Sequence, residues 1–196
     1  MLEIYQKAKE AAYRVLINGG VSAFPFDIVR IAIDNGITIL KDKDVKQLRD
    51  GEAAAVFYDG AEWFVVYDET IPSREYKRHV LAHELGRKAL NQPMFAGFPS
   101  STIHRAAKRK YAKIDIPVEE KEAEAFARHL LAPLVILRGL NITDSRDIAR
   151  ISQIPIEIAE QQAEVLEHYN LCNVDLTPLE RQLYEQFKPW IEQNRL

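Results

Sequence analysis

Apolar and polar positions alternate along the chain with periods that divide it into helices and strands. Between residues 2 and 17, Leu2, Ile4, Tyr5, Ala8, Ala12, Val15 and Leu16 recur at helical spacing among lysines and glutamates, predicting a helix with one apolar face. Asn18-Gly19-Gly20 ends it. After Pro25, the stretch Phe26 to Asp34 reads as a second helix stopped by Asn35-Gly36, and Ile37 to Leu40 as a short β-branched strand. The charged residues 41–50 read as a loop. Ala53 to Tyr58 and Trp63 to Tyr67 read as strands around Asp59-Gly60, a hairpin signal, with Trp63, Phe64 and Tyr67 as packing residues. Ser73 caps a helix that runs to about Leu90, where Asn91-Gln92-Pro93 breaks it. Residues 93–103 read as a loop beside a cleft. From Val118, the shared face of Ala123, Phe126, Ala127, Leu130 and Leu131 predicts a packed helix stopped near Pro133. Helical segments at Ser145 to Ala149, Ile156 to Tyr169 and Pro178 to Ile191 complete the chain.

Composition narrows the class. A chain of 196 residues with 47% hydrophobic residues can bury a full core. The expected division is residues 1–140, opening with a helix over 1–20, and a helical region over 141–196. The formal net charge of −3 gives no global argument for nucleic acid or a membrane surface as partner. No apolar run approaches the roughly 20 residues that span a bilayer, and the start lacks the layout of a signal peptide, so the expected location is cytoplasmic. The single cysteine, Cys172, rules out an internal disulfide and a cysteine-type zinc site, and reads as a packed small hydrophobe. His104 to Lys113 is basic; a phosphate-binding strip and a solvated face balancing the acidic run Glu119-Glu120-Glu122-Glu124 are the two readings, the second favoured. His104 and His168 read as surface residues. The junction Ile151 to Ile156 has the look of a helix-turn-helix pair, without the basic residues that DNA binding needs.

The chemistry concentrates between Arg78 and Leu90. In a His-Glu-x-x-His helix, two histidines four residues apart point at one metal, and the glutamate stands where it can take a proton from bound water. Here His83 and Glu84 are present, but Arg87 occupies the second histidine position. A guanidinium keeps its proton and has no lone pair to give a metal.

Three pieces stand in order: Phe24 to Val29 before Gly36-Ile37; Leu81-Ala82-His83-Glu84-Leu85-Gly86; and Glu120 to Ala127 followed by Leu130-Leu131-Ala132-Pro133. This order resembles the ImmA/IrrE family of zinc metallopeptidases, over roughly residues 20 to 170. The resemblance implies an α+β, zincin-like fold. A small, mostly antiparallel sheet would pack against the motif helix and a second ligand helix, with a helical C-terminal part. It implies His83 as first zinc ligand, Glu84 as general base and Glu122 as third ligand. The family's second histidine falls on Arg87 and a further one on Asn91; the Asn of its Glu-Ala-Asn falls on Glu124, and its Met before proline on Ala132. Members of the family cleave helix-turn-helix repressors of mobile elements or stress genes.

Because these departures fall on the chemistry, the expected zinc binding is weak or absent, since catalytic zinc keeps three protein ligands. The expected state is a pseudoenzyme that binds a protein such as a repressor. In it, Arg87 would reach Glu122, with Glu84 beside it, as a charge-assisted bridge between the two helices. The alternative is an active zinc metallo-endopeptidase with an altered ligand set. His79 lies four residues before His83 and His129 seven after Glu122, so His79, His83, Glu122 and His129 carry the right donor chemistry. Taken singly, His79 and His129 read as partly buried, hydrogen-bonded packing residues.

Overall fold

The computed structural model describes residues 2–49, 52–92, 100–103, 118–172 and 175–195. Helix α1 (Leu2–Asn18) leads to α2 (Ile28–Asp34), strand β1 (Ile37–Lys41) and a short α3 (Asp42–Val45). Strands β2 (Glu52–Tyr58) and β3 (Trp63–Tyr67) precede α4 (Arg74–Ala89) and β4 (Ser100–Ile103). The helices α5 (Val118–Leu131), α6 (Leu134–Gly139), α7 (Ser145–Ser152), α8 (Ile156–Leu171) and α9 (Pro178–Asn194) follow. The class is α+β, as expected.

The sheet order is β1-β3-β2-β4. β1 runs parallel to β3, whereas β2 pairs antiparallel with both β3 and β4. The hairpin forms where Asp59-Gly60 marks it: the Asp59 carboxylate accepts from the backbone N–H groups of Ala61 and Glu62 at 2.9 and 2.8 Å. Gly60 takes a φ of 101°, which a side chain would resist. Trp63 packs its ring on Tyr58 across the hairpin, centroids 5.1 Å apart.

Helix α4 packs on β2 and β3, and α5 packs against both α4 and α1. α4 is therefore covered nearly all round, and every residue from Arg78 to Arg87 is buried. The end of α2 is tied to α4 by Lys88, whose ammonium donates to the carbonyls of Asn35 and, at 2.9 Å, Gly36. One apolar cluster runs from Ala8 to Ile191, so the C-terminal helices share the core of the N-terminal part. Phe187 of α9 stacks on Phe24 with centroids 5.1 Å apart. Thr177 and Glu180 close a reciprocal capping box at the start of α9.

Several local expectations need correction. Residues 41–50 are not loop throughout. Asp42 opens α3, and its carboxylate collects the N–H groups of Gln47 and Leu48 at 2.7 and 2.8 Å, folding the charged stretch on itself. Of the loop expected over 93–103, residues 100–103 form β4 beside β2, because an edge strand's backbone donors need a partner. Residues 93–99, and the basic segment from His104 to Lys113, lie outside the described residues. Pro133 ends one helix and also begins the next, α6, in keeping with proline's fixed φ at a helix start. Among the described residues no helix is long and apolar enough to cross a membrane.

Candidate functional site

The motif helix starts at Ser73, whose hydroxyl accepts from the N–H of Tyr76 at 3.1 Å. One turn before its end, Gly86 lets α5 approach closely: a Cβ there would lie 2.7 Å from Cδ1 of Phe126. The close approach brings the polar residues of α4 against those of α5, where each buried group needs a partner.

Those partners form a ladder. Nε2 of His79 stands 3.1 Å from a Glu124 oxygen. Nε2 of His83, whose side chain is fully buried, stands 3.6 Å from a Glu120 oxygen. Arg87 is 6% exposed, and its Nη2 is bonded to the other Glu120 oxygen. Its Nε lies 3.7 Å from Oε2 of the buried Glu84. Positions 79, 83 and 87 follow one stripe of α4 at four-residue spacing, and 120 and 124 follow one stripe of α5. The pairing of 79 with 124 and of 83 with 120 shows that the two helices run antiparallel.

Glu122 was expected opposite Arg87, and there the expectation fails: the carboxylate across the interface is Glu120. At 3.6 residues per turn, position 122 lies about 200° around the helix from position 120. Glu122 instead places one oxygen 3.6 Å from the ammonium of Lys7 on α1. Its other oxygen accepts from Nε2 of Gln92 at 3.3 Å. Gln92 also accepts from Nη1 of Arg87 at 3.3 Å, so Glu122 meets Arg87 only through an amide.

The residues present do not fit a zinc ion at the three positions that the resemblance implies. Arg87 offers no lone pair and fills the second imidazole's place with a buried cation, while Glu122 is engaged by Lys7 and Gln92. The four residues of the altered ligand set are not gathered. His79 and His83 face Glu124 and Glu120. His129 faces α1, with its ring edge-on to Tyr13 at 6.4 Å between centroids. Burial, reinforced by the charges of Arg128 and Lys9, pushes the His129 imidazole down to about 3, so it is neutral. Among the described residues, no group of three His, Cys, Asp or Glu side chains is placed to hold a metal ion. What the arrangement can do is clamp two helices: a guanidinium holds Glu120 from across the interface and stands near Glu84 on its own helix.

Cys172 is exposed rather than packed. It follows the last turn of α8, beyond Leu166, the last fully buried residue of that helix. His168 is exposed as expected, with Nε2 3.7 Å from the thiol sulfur. The helix pair α7 and α8 does form, turning at Gln153 with φ 51°.

Sequence reasoning overlooked Glu120 as a site residue. The matching four-residue spacing of His79/His83 and Glu120/Glu124 was the available signal. Gln92, past the end of α4, carried none. No family model and no curated protein matches this chain.

Proposed function

We propose that this chain is a metallopeptidase-like protein of the ImmA/IrrE kind whose motif helix serves as a salt-bridged clamp, and that it works by binding a protein such as a helix-turn-helix repressor without cleaving it. One observation carries the reading: Arg87 is buried and ion-paired across the helix interface with Glu120. A surface arginine could swing away from an incoming cation. A buried one is held in place by its partners, Glu120 and Gln92. Glu84 then has the role of an acid beside the guanidinium rather than of a general base.

The test is metal content and cleavage, measured together. The purified protein is expected to hold far less than one equivalent of zinc and to bind a helix-turn-helix repressor encoded beside its gene without cutting it. Arg87→His is expected to raise zinc retention. Stoichiometric zinc in the parent protein, with repressor cleavage lost in Glu84→Gln, would overturn the proposal in favour of an active endopeptidase with an altered ligand set.

A further inference from the structure

A second face of α4 borders a half-open cavity of about 390 Å³, lined on its other side by the segment leading into α2. Its size falls in the range of small-molecule sites, about 300–1,000 Å³. Phe26, Ile28 and Leu81 give it apolar walls, and Arg74, Lys77 and Arg78 give it three cations. The one carboxylate on its lining, Asp27, already accepts from the N–H groups of Val29 and Arg30 at 2.9 and 3.3 Å as the cap of α2.

Arg78 is the informative residue. It is 6% exposed, and its guanidinium lies over the Phe26 ring, 5.4 Å from the centroid. Nη1 donates to the carbonyl of Phe26, whereas Nε and Nη2 are buried with no hydrogen-bond partner. Tying down the Phe26 carbonyl explains one donor and leaves the rest of the fork unused. Burial, reinforced by the charge of Arg74, pulls the pKa of Arg78 down, and Asp27 and Glu75 offset this only in part. A buried cation with idle donors is poised for an acceptor that the protein itself does not supply. Lys77 is also held in place, its ammonium 4.1 Å from the centre of the Tyr67 ring.

The geometry points to a binding site for a small organic anion, a phosphate or carboxylate group on an apolar body. The head group would meet the cations of α4, and the body would lie on Phe26, Ile28 and Leu81. A planar guanidinium fork suits either oxyanion, and the further cations on the lining, Arg74 and Lys77, favour charge over a neutral ligand. Residues 74, 78 and 81 lie about 170° around α4 from the stripe of 79, 83 and 87, so the site stands apart from the helix clamp.

The test is a titration of the full chain followed through its arginine Nε–H signals by ¹⁵N NMR. The probes are phenyl phosphate, benzoate, inorganic phosphate and phenol. Saturable movement of the Arg78 signal with phenyl phosphate or benzoate is expected, and the tighter of the two names the head group. Phenol is expected to leave the signal unmoved, and inorganic phosphate to bind more weakly than phenyl phosphate. Lys77→Gln is expected to weaken binding roughly tenfold, the effect of losing one charged contact. Arg78→Lys, which keeps the charge and loses the fork, is expected to weaken it at least as much. Should that variant fail to fold, Lys77→Gln and the exposed Arg74→Gln carry the test. The proposal is overturned if neither anion saturates the signal at millimolar concentration. It is equally overturned if both of those surface variants bind like the parent, or if bare phosphate binds as tightly as phenyl phosphate.

Discussion

Arg87 of α4 and Glu120 of α5 form an ion pair across two antiparallel helices, at the helix position where a metallopeptidase motif would place its second histidine. The pair is buried on the arginine side and partly exposed on the glutamate side, with side-chain exposures of 8% and 22%. Replacing Arg87 by Ala removes the guanidinium that pairs with Glu120 and stands near Glu84, and is expected to destabilise the fold by about 2–4 kcal/mol. A double-mutant cycle with Glu120→Gln, measured by urea unfolding, is expected to give a coupling of about 1–3 kcal/mol. Additive effects of the two changes would show that the pair does not clamp the helices.

Gly86 and Phe126 set how closely those helices approach. An added methyl group at Gly86 would stand 2.7 and 2.9 Å from Cδ1 and Cγ of Phe126, a fully buried ring. Alanine improves helix propensity by about 1 kcal/mol, but the clash costs about 1–3 kcal/mol, so a net loss is expected for Gly86→Ala. In a Phe126→Leu background the same change is expected to be neutral or stabilising by thermal unfolding.

His129 gives the fold a dependence on acid. Its imidazole, lowered by burial and by Arg128 and Lys9, titrates near 3 in the native state and near 6.5 when unfolded. Between those values the unfolded chain binds the extra proton. The contribution is therefore whole above about pH 6.5 and declines as pH falls toward 3, by at most about 1.4 kcal/mol per pH unit. Unfolding measured at pH 7 and pH 5 is expected to show a smaller difference for His129→Leu than for the parent protein.

Glu180 acts in a lower window. Burial alone would raise its carboxyl, but the Lys9 ammonium at 2.9 Å and the N–H of Thr177 outweigh burial and leave it lowered. Its contribution is present above the ordinary glutamate value of 4.5 and is lost as pH falls through the lowered native one. Glu180→Gln is expected to cost about 2–3 kcal/mol at pH 7, by loss of the Lys9 pair and weakening of the capping box, and to steepen no slope above pH 5. That separates it from His129 in the same urea titrations.

Local physics makes much of the architecture readable in the sequence. Ser73 capped its helix, Asp59-Gly60 turned the hairpin, and Asn35-Gly36 stopped α2, because each acts on backbone groups within a few residues of itself. The identity of Arg87 as a residue unable to ligate zinc was equally plain, since a guanidinium's protonation is a property of the group rather than of its surroundings. Periodicity also showed which side chains share a stripe.

Which stripe meets which was decided only by tertiary packing. Glu120 and Glu122 are two residues apart and chemically the same, yet one reaches Arg87 and the other Lys7 of α1. The choice depends on how α5 is rotated between α4 and α1, and that rotation is set by buried contacts such as Phe126 on Gly86. Arg78's idle donors and the exposure of Cys172 belong to the same class. Burial and partnership are properties of the assembled core, made by residues far apart in the chain.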